Sequence, residues 1–86
     1  MSVIHVLLVY RAYGTPTELF ETIRELYEFL YDYRILDLLV AWVRNFRVKT
    51  KLLWAIHHWL GTTDADIQTK NVVKLALIKV NSPFLA

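Results

Sequence analysis

Cysteine is absent from this 86-residue chain, glycine and proline occur twice each, and methionine once. Without cysteine there is no disulfide, no thiol nucleophile and no thiolate metal site. Small secreted domains usually carry such staples, so an intracellular setting is expected, cytoplasmic and with a peripheral membrane position left open. Two glycines, Gly14 and Gly61, are too few for a glycine-rich phosphate loop. Apolar runs are broken well before the roughly 20 residues that a spanning helix needs. The nearest approach, residues 2–10, has no basic leader and meets Arg11 without a small-residue cleavage site, so a signal peptide is not expected. Neither sign of charge predominates, and a formal net charge of +2 is too small to name a partner.

Apolar residues are what the chain has in excess. Hydrophobic residues make up 56% and aromatics 14%, against roughly 45–50% apolar usage in ordinary soluble domains. At this length one domain forms, and folding hides only about 60–65% of the surface that the unfolded chain exposes. Part of the apolar complement is therefore expected on the outside, where a contiguous patch marks a protein or membrane contact. Trp42 is expected in the core. Trp54 and Trp59, with His58, Tyr27 and Tyr31, are the expected partner-facing residues, because aromatics are enriched at interfaces. Poor solubility or self-association in isolation follows from the same excess.

The pattern predicts an all-α fold, a compact bundle of four to five short helices over residues 1–86. Residues 2–13 read as a helix, although so short an apolar run also suits a buried strand. Gly14 is expected to close it in the left-handed conformation, and Thr15-Pro16-Thr17-Glu18 opens the next helix as a capping box with proline in the first turn. Over residues 16–31, Leu19, Ile23, Leu26 and Leu30 form one stripe, beside Phe20, Tyr27 and Tyr31 and opposite a glutamate-rich face. Residues 34–46 are apolar nearly all round, which predicts a central helix flanked by neighbours. Residues 49–60 form a fourth helix, with Gly61 expected as a left-handed cap. Residues 67–80 form a fifth, with Asp64 and Asp66 suited to its N-terminus. Residues 72–80 are rich in β-branched side chains, so strand stays open for them.

Candidate chemistry is thin. His57 and His58 are adjacent and so point about 100° apart on a helix, whereas two helical ligands for one ion sit three or four positions apart. One packing at the helix edge and one facing water is the expected arrangement, with no metal and no cofactor. Glu21, Glu25 and Glu28 are spaced as a solvated face rather than as an acid/base pair. No nucleophile, base and orienting group are suggested together, so no enzyme activity and no small-molecule substrate are expected. The run from Arg44 through Arg47, Lys49 and Lys51 interleaves cations with Phe46, but four cations are few for nucleic acid. Contact with the acidic second helix is the expected use.

Three segments carry a resemblance. Residues 6–19, through Tyr10-Arg11, Gly14-Thr15-Pro16 and Glu18, are similar to the segment Phe-Leu-x-Thr-Tyr-Arg-Ser-Phe-x-Thr-Pro-x-Glu-Leu. Residues 33–39, with Arg34, and the following Trp42-Val43 are similar to Leu-Arg-Val-Leu-Asn and a later Trp-Val. Leu52-Leu53 and Trp59-Leu60-Gly61-Thr62 are similar to Leu-Leu and Phe-Ile-Gly-Thr at the same separation. In this order the three resemble the Ras exchanger motif, the N-terminal domain of guanine-nucleotide exchange factors for Ras-like GTPases, over roughly two-thirds of the chain.

The resemblance implies a helical support module that does not exchange nucleotide. In the family this domain packs on the catalytic exchange domain, buttresses the hairpin that opens the GTPase, and in some members binds a second GTPase. Tyr10 would then pack, and Arg11 would tie its helix to a neighbouring carbonyl or carboxylate. The chain departs from the family in lacking the helix ahead of the first motif, in the short Asp32-Tyr33 link, and in a tail after Thr63 without a match. These departures, and the abrupt apolar start, suggest a shortened domain or a segment of a longer polypeptide. The partner would be a catalytic exchange domain in cis or trans, or a Ras-like GTPase. A small structural subunit of a larger, membrane-associated complex is the alternative that the apolar excess also suits.

Overall fold

A computed structural model describes residues 14–81, which form four helices: α1 (Pro16–Leu30), α2 (Arg34–Asn45), α3 (Thr50–Gly61) and α4 (Ile67–Asn81). The described residues are all-α, without a strand, and residues 72–80 are helix. The helix expected over residues 2–13, with Tyr10 and Arg11, lies outside the described residues, and with it the helix end expected to close at Gly14; Gly14 itself stands in a bend ahead of Thr15. α2 packs on α1 and on α4, and α4 packs in turn on α3.

The start of α1 follows from its sequence. Thr15 is extended (φ −86°, ψ 159°), its hydroxyl accepts from the Glu18 backbone N–H at 3.1 Å, and Pro16 occupies the first turn. Leu19, Phe20, Ile23 and Tyr27 are buried. The buried face keeps Leu19 and Ile23 of the stripe read in the sequence but continues through Phe20 and Tyr27 rather than Leu26 and Leu30, which are exposed. The packing partners explain this, because Phe20 and Tyr27 meet Trp59 of α3, and these rings bury more surface than the two leucines could.

Between α1 and α2, Asp32 accepts from the Arg34 backbone N–H at 3.0 Å and from the Arg34 guanidinium at 2.7 Å. Those bonds hold the Asp32 carboxyl below its ordinary range. Arg34 itself is exposed, so the pair shapes the turn and adds little stability. α2 buries Ile35, Leu36, Leu39, Trp42 and Val43, and α3 buries Leu53, Ile56, Trp59 and Leu60. α4 is capped by Asp66, which accepts from the Thr69 N–H at 2.8 Å, and it buries Val73 and Leu77. The cap and those two contacts settle the 72–80 segment as helix despite its β-branched residues, whose helix penalty is only a few tenths of a kcal/mol each.

The left-handed cap occurs at the wrong residue for the sequence reading. Gly61 has no positive φ and is the last residue of α3, since the hydroxyls of Thr62 and Thr63 bond the Trp59 and Leu60 carbonyls at 2.7 and 2.8 Å. These side chains satisfy the end of the helix without a left-handed residue. Tyr31, closing α1 at φ 52° and ψ 33°, is the non-glycine residue in that region, and its N–H bonds the Tyr27 carbonyl at 2.8 Å. Exchanging the two roles should stabilise the domain. Tyr31→Gly relieves the Cβ clash of the left-handed turn, and Gly61→Ala restricts the unfolded chain at a site where nothing lies within 4 Å of the added methyl. Each is expected to raise the unfolding free energy by about 0.5–1 kcal/mol, read as a higher urea midpoint at unchanged slope.

Candidate functional site

Trp59 stands at the junction of α1 and α3. Its ring meets Phe20 edge-on with centroids 5.8 Å apart and Tyr27 at 5.7 Å, and its indole N–H donates to Glu28 at 3.1 Å. Tyr27 donates its hydroxyl to Asp64 at 2.7 Å, and Tyr33 donates to the other oxygen of the same carboxylate at 2.6 Å. One carboxylate in the α3–α4 connection therefore clamps the C-terminal end of α1 and the start of α2. This corrects the assignment of Tyr27 and Trp59 to a partner surface, since they are only 3% and 9% exposed. Each ring is buried because its polar tip finds a carboxylate at the edge of the core. Asp64, read as a helix cap, has this bridging role instead, and Asp66 alone caps α4. No local signal could have revealed it, as Tyr27 and Asp64 are 37 positions apart.

The clamp couples protonation to folding. Asp64 is held below the usual carboxylate range, first by the Tyr33 bond and then by the Tyr27 bond. The Tyr27 phenol is pushed well above its ordinary value by burial and then by Asp64, and the Tyr33 phenol is raised by its bond to Asp64. A depressed carboxyl contributes stability above its unfolded value near about 3.9, and that contribution is lost as pH falls through the folded value. A raised phenol contributes below its unfolded value near about 10, and that contribution is lost as pH climbs toward the folded value. Thermal melts should thus show a plateau between about pH 4 and 10 with a fall on each side. Tyr27→Phe should lower that plateau by about 1–2 kcal/mol and flatten the alkaline fall.

Of the other expected contact residues, Tyr31, Trp54 and His58 are exposed, and Trp42 is buried in the core. Trp54, 52% exposed, meets His57 edge-on at 5.9 Å. The two rings form one wall of an apolar groove of about 490 Å³ between α3 and α4, completed by Lys74, Leu77, Ile78 and Asn81. His57 rather than His58 belongs to this groove. The adjacent histidines were expected to divide between edge and solvent, but only the fold shows which one borders a hollow. Among the described residues no three His, Cys, Asp or Glu side chains are grouped to hold a metal ion. A second hollow of about 320 Å³ contains Asp37, Asp64 and Asp66, of which Asp64 is bonded to the tyrosines and Asp66 to the α4 cap.

The expected contact between the basic run and the acidic helix is not formed. Arg44, Arg47, Lys49 and Lys51 are exposed, and the ion pair found among the described residues is Arg34–Asp32. The glutamates of α1 face solvent around their helix, apart from the bond of Glu28 to Trp59, while the basic residues end α2 and open α3. No helix among the described residues is long and apolar enough to cross a membrane. Comparisons of the chain with protein-family models, curated proteins and solved structures find no match.

Proposed function

We propose that this domain is a non-catalytic docking module of the Ras exchanger type, which packs on a catalytic exchange domain in cis or trans and steadies it. The observation that carries the reading is Trp54, half exposed over an apolar groove whose floor is the buried Leu77. Tryptophans that seat in or beside an apolar hollow are frequent anchors of protein interfaces, and such anchors carry a large share of binding energy. The order of the three resembling segments supplies the partner class.

The test is titration of the full chain with an isolated catalytic exchange domain, followed by tryptophan fluorescence and by size-exclusion chromatography. Complex formation is expected, and Trp54→Ala should weaken it at least about tenfold while leaving the fold intact. Absence of a complex with exchange domains and with Ras-like GTPases, together with copurification with an unrelated assembly, would favour the structural-subunit reading instead.

A further inference from the structure

α4 is apolar on two sides. Val73 and Leu77 face the core, while Ile67, Leu75, Ile78 and Val80 are exposed on the rest of its surface. Helices that are apolar all round belong between neighbours, and among the described residues the neighbours of this one are α2 and α3, on its inner side. The exposed side also carries charge. Lys70, Lys74 and Ile78 follow one another at four-residue intervals along one stripe; Lys74 is exposed, Lys70 is half-buried with its charge acting on Asp64, and neither lysine is in an ion pair among the described residues.

The solvent face of α1 has the converse pattern at the same spacing. Glu21, Glu25 and Phe29 also follow at intervals of four, the glutamates are in no ion pair among the described residues, and Phe29 is 83% exposed, the largest such value among the described large hydrophobic residues. Two helix faces on one molecule thus present anion–anion–aromatic and cation–cation–aliphatic rows with matching intervals of roughly 6 Å per step. They belong to helices that both pack on α2, and α1 and α4 are not packed on each other, so Glu21 and Glu25 on one and Lys74 on the other are exposed without meeting within one molecule.

We infer that α1 of one copy lies along α4 of the next, parallel, with Glu21 facing Lys70, Glu25 facing Lys74 and Phe29 seated on Ile78. The contact joins unlike faces, so it is heterologous, and each copy keeps one face of each kind free for the next neighbour. Exposed ion pairs supply register and rejection of wrong partners, while burial of Phe29 and Ile78 supplies the attraction. Lys74 and Ile78 also line the Trp54 groove, so a copy seated on α4 competes for the surface proposed for the exchange domain. The inference does not rest on that function. Glu21 and Glu25 lie on α1, away from the groove, and mass alone reports the assembly.

The experiment is sedimentation velocity of the full chain from about 10 µM to about 1 mM at low salt. The wild-type weight-average mass should climb to roughly double the monomer value or beyond. Glu21→Lys/Glu25→Lys and Lys70→Glu/Lys74→Glu should each remain monomeric, because each then bears rows of one sign on both helices. Mixed in equal amounts, the two variants should assemble again, since every α1 row then faces an α4 row of opposite sign. A monomeric wild type, reversed variants that assemble like it, or a silent mixture would each overturn the inference. If a reversed variant loses its helical circular dichroism, Phe29→Ser and Ile78→Ser replace the pair. Each alone should stop growth at the monomer, and their mixture should form dimers only.

Discussion

Trp59→Ala is expected to cost about 3–5 kcal/mol, enough to leave this domain largely unfolded at 37 °C. A chain of this length holds roughly 5–10 kcal/mol in total, so one such loss consumes a large share. Three effects act together at this position. The indole fills the space between α1 and α3, and its removal leaves Phe20 and Tyr27 facing a cavity. The two edge-to-face contacts are lost beyond the area term. Glu28 loses the N–H donor that holds it at 3.1 Å, although that carboxylate remains near water. Trp59→Phe should recover most of the packing and lack only the hydrogen bond, so it should fall between the wild type and the alanine variant. Trp54→Ala is the control. Its ring is half exposed, and its loss should move stability by less than about 0.5 kcal/mol. Urea unfolding of the three variants, followed by circular dichroism, checks the order. Equal destabilisation by Trp54→Ala and Trp59→Ala would contradict the division of the tryptophans into one that holds the fold and one that faces outward.

That division was only half legible beforehand. All three tryptophans sit in helices, and a helical ring can point inward or outward on a change of one position. Trp42 was legible because its neighbours Leu39 and Val43 are apolar on the same side. Trp59 was not, because its burial depends on Phe20 and Tyr27 from a helix 30 to 40 positions earlier and on a carboxylate for its N–H. Local chemistry was readable where it is local. Thr15, Pro16 and Glu18 specify the start of α1 within four residues, and Asp66 specifies that of α4. Helix ends are less legible, since the sequence offers Gly61 as a left-handed cap whereas two threonine hydroxyls close the helix. Tyr31 occupies that conformation instead, with its largely exposed ring set 6.2 Å from the Tyr27 ring.

The sharpest statement about α4 comes from two residues separated by one position. Val73 is fully enclosed and Leu75 is 64% exposed. On a helix, positions two apart point roughly 160° away from each other, whereas on a strand they share a face. The strand that the β-branched run 72–80 also suggested would therefore treat the two alike. Val73→Asp places an unpaired carboxylate among Leu39, Ile56 and the rest of the buried cluster, and it should destabilise by more than about 4 kcal/mol, abolishing the cooperative transition. Leu75→Asp should leave the unfolding midpoint within about 0.5 kcal/mol of wild type. Its charge also falls beside the Lys74–Ile78 row, so it should weaken the concentration-dependent association while the monomer stays folded. A helix carries one apolar face into the core and leaves the other to be covered, which is why the same substitution is expected to unfold the protein at one position and to affect only its association at the other.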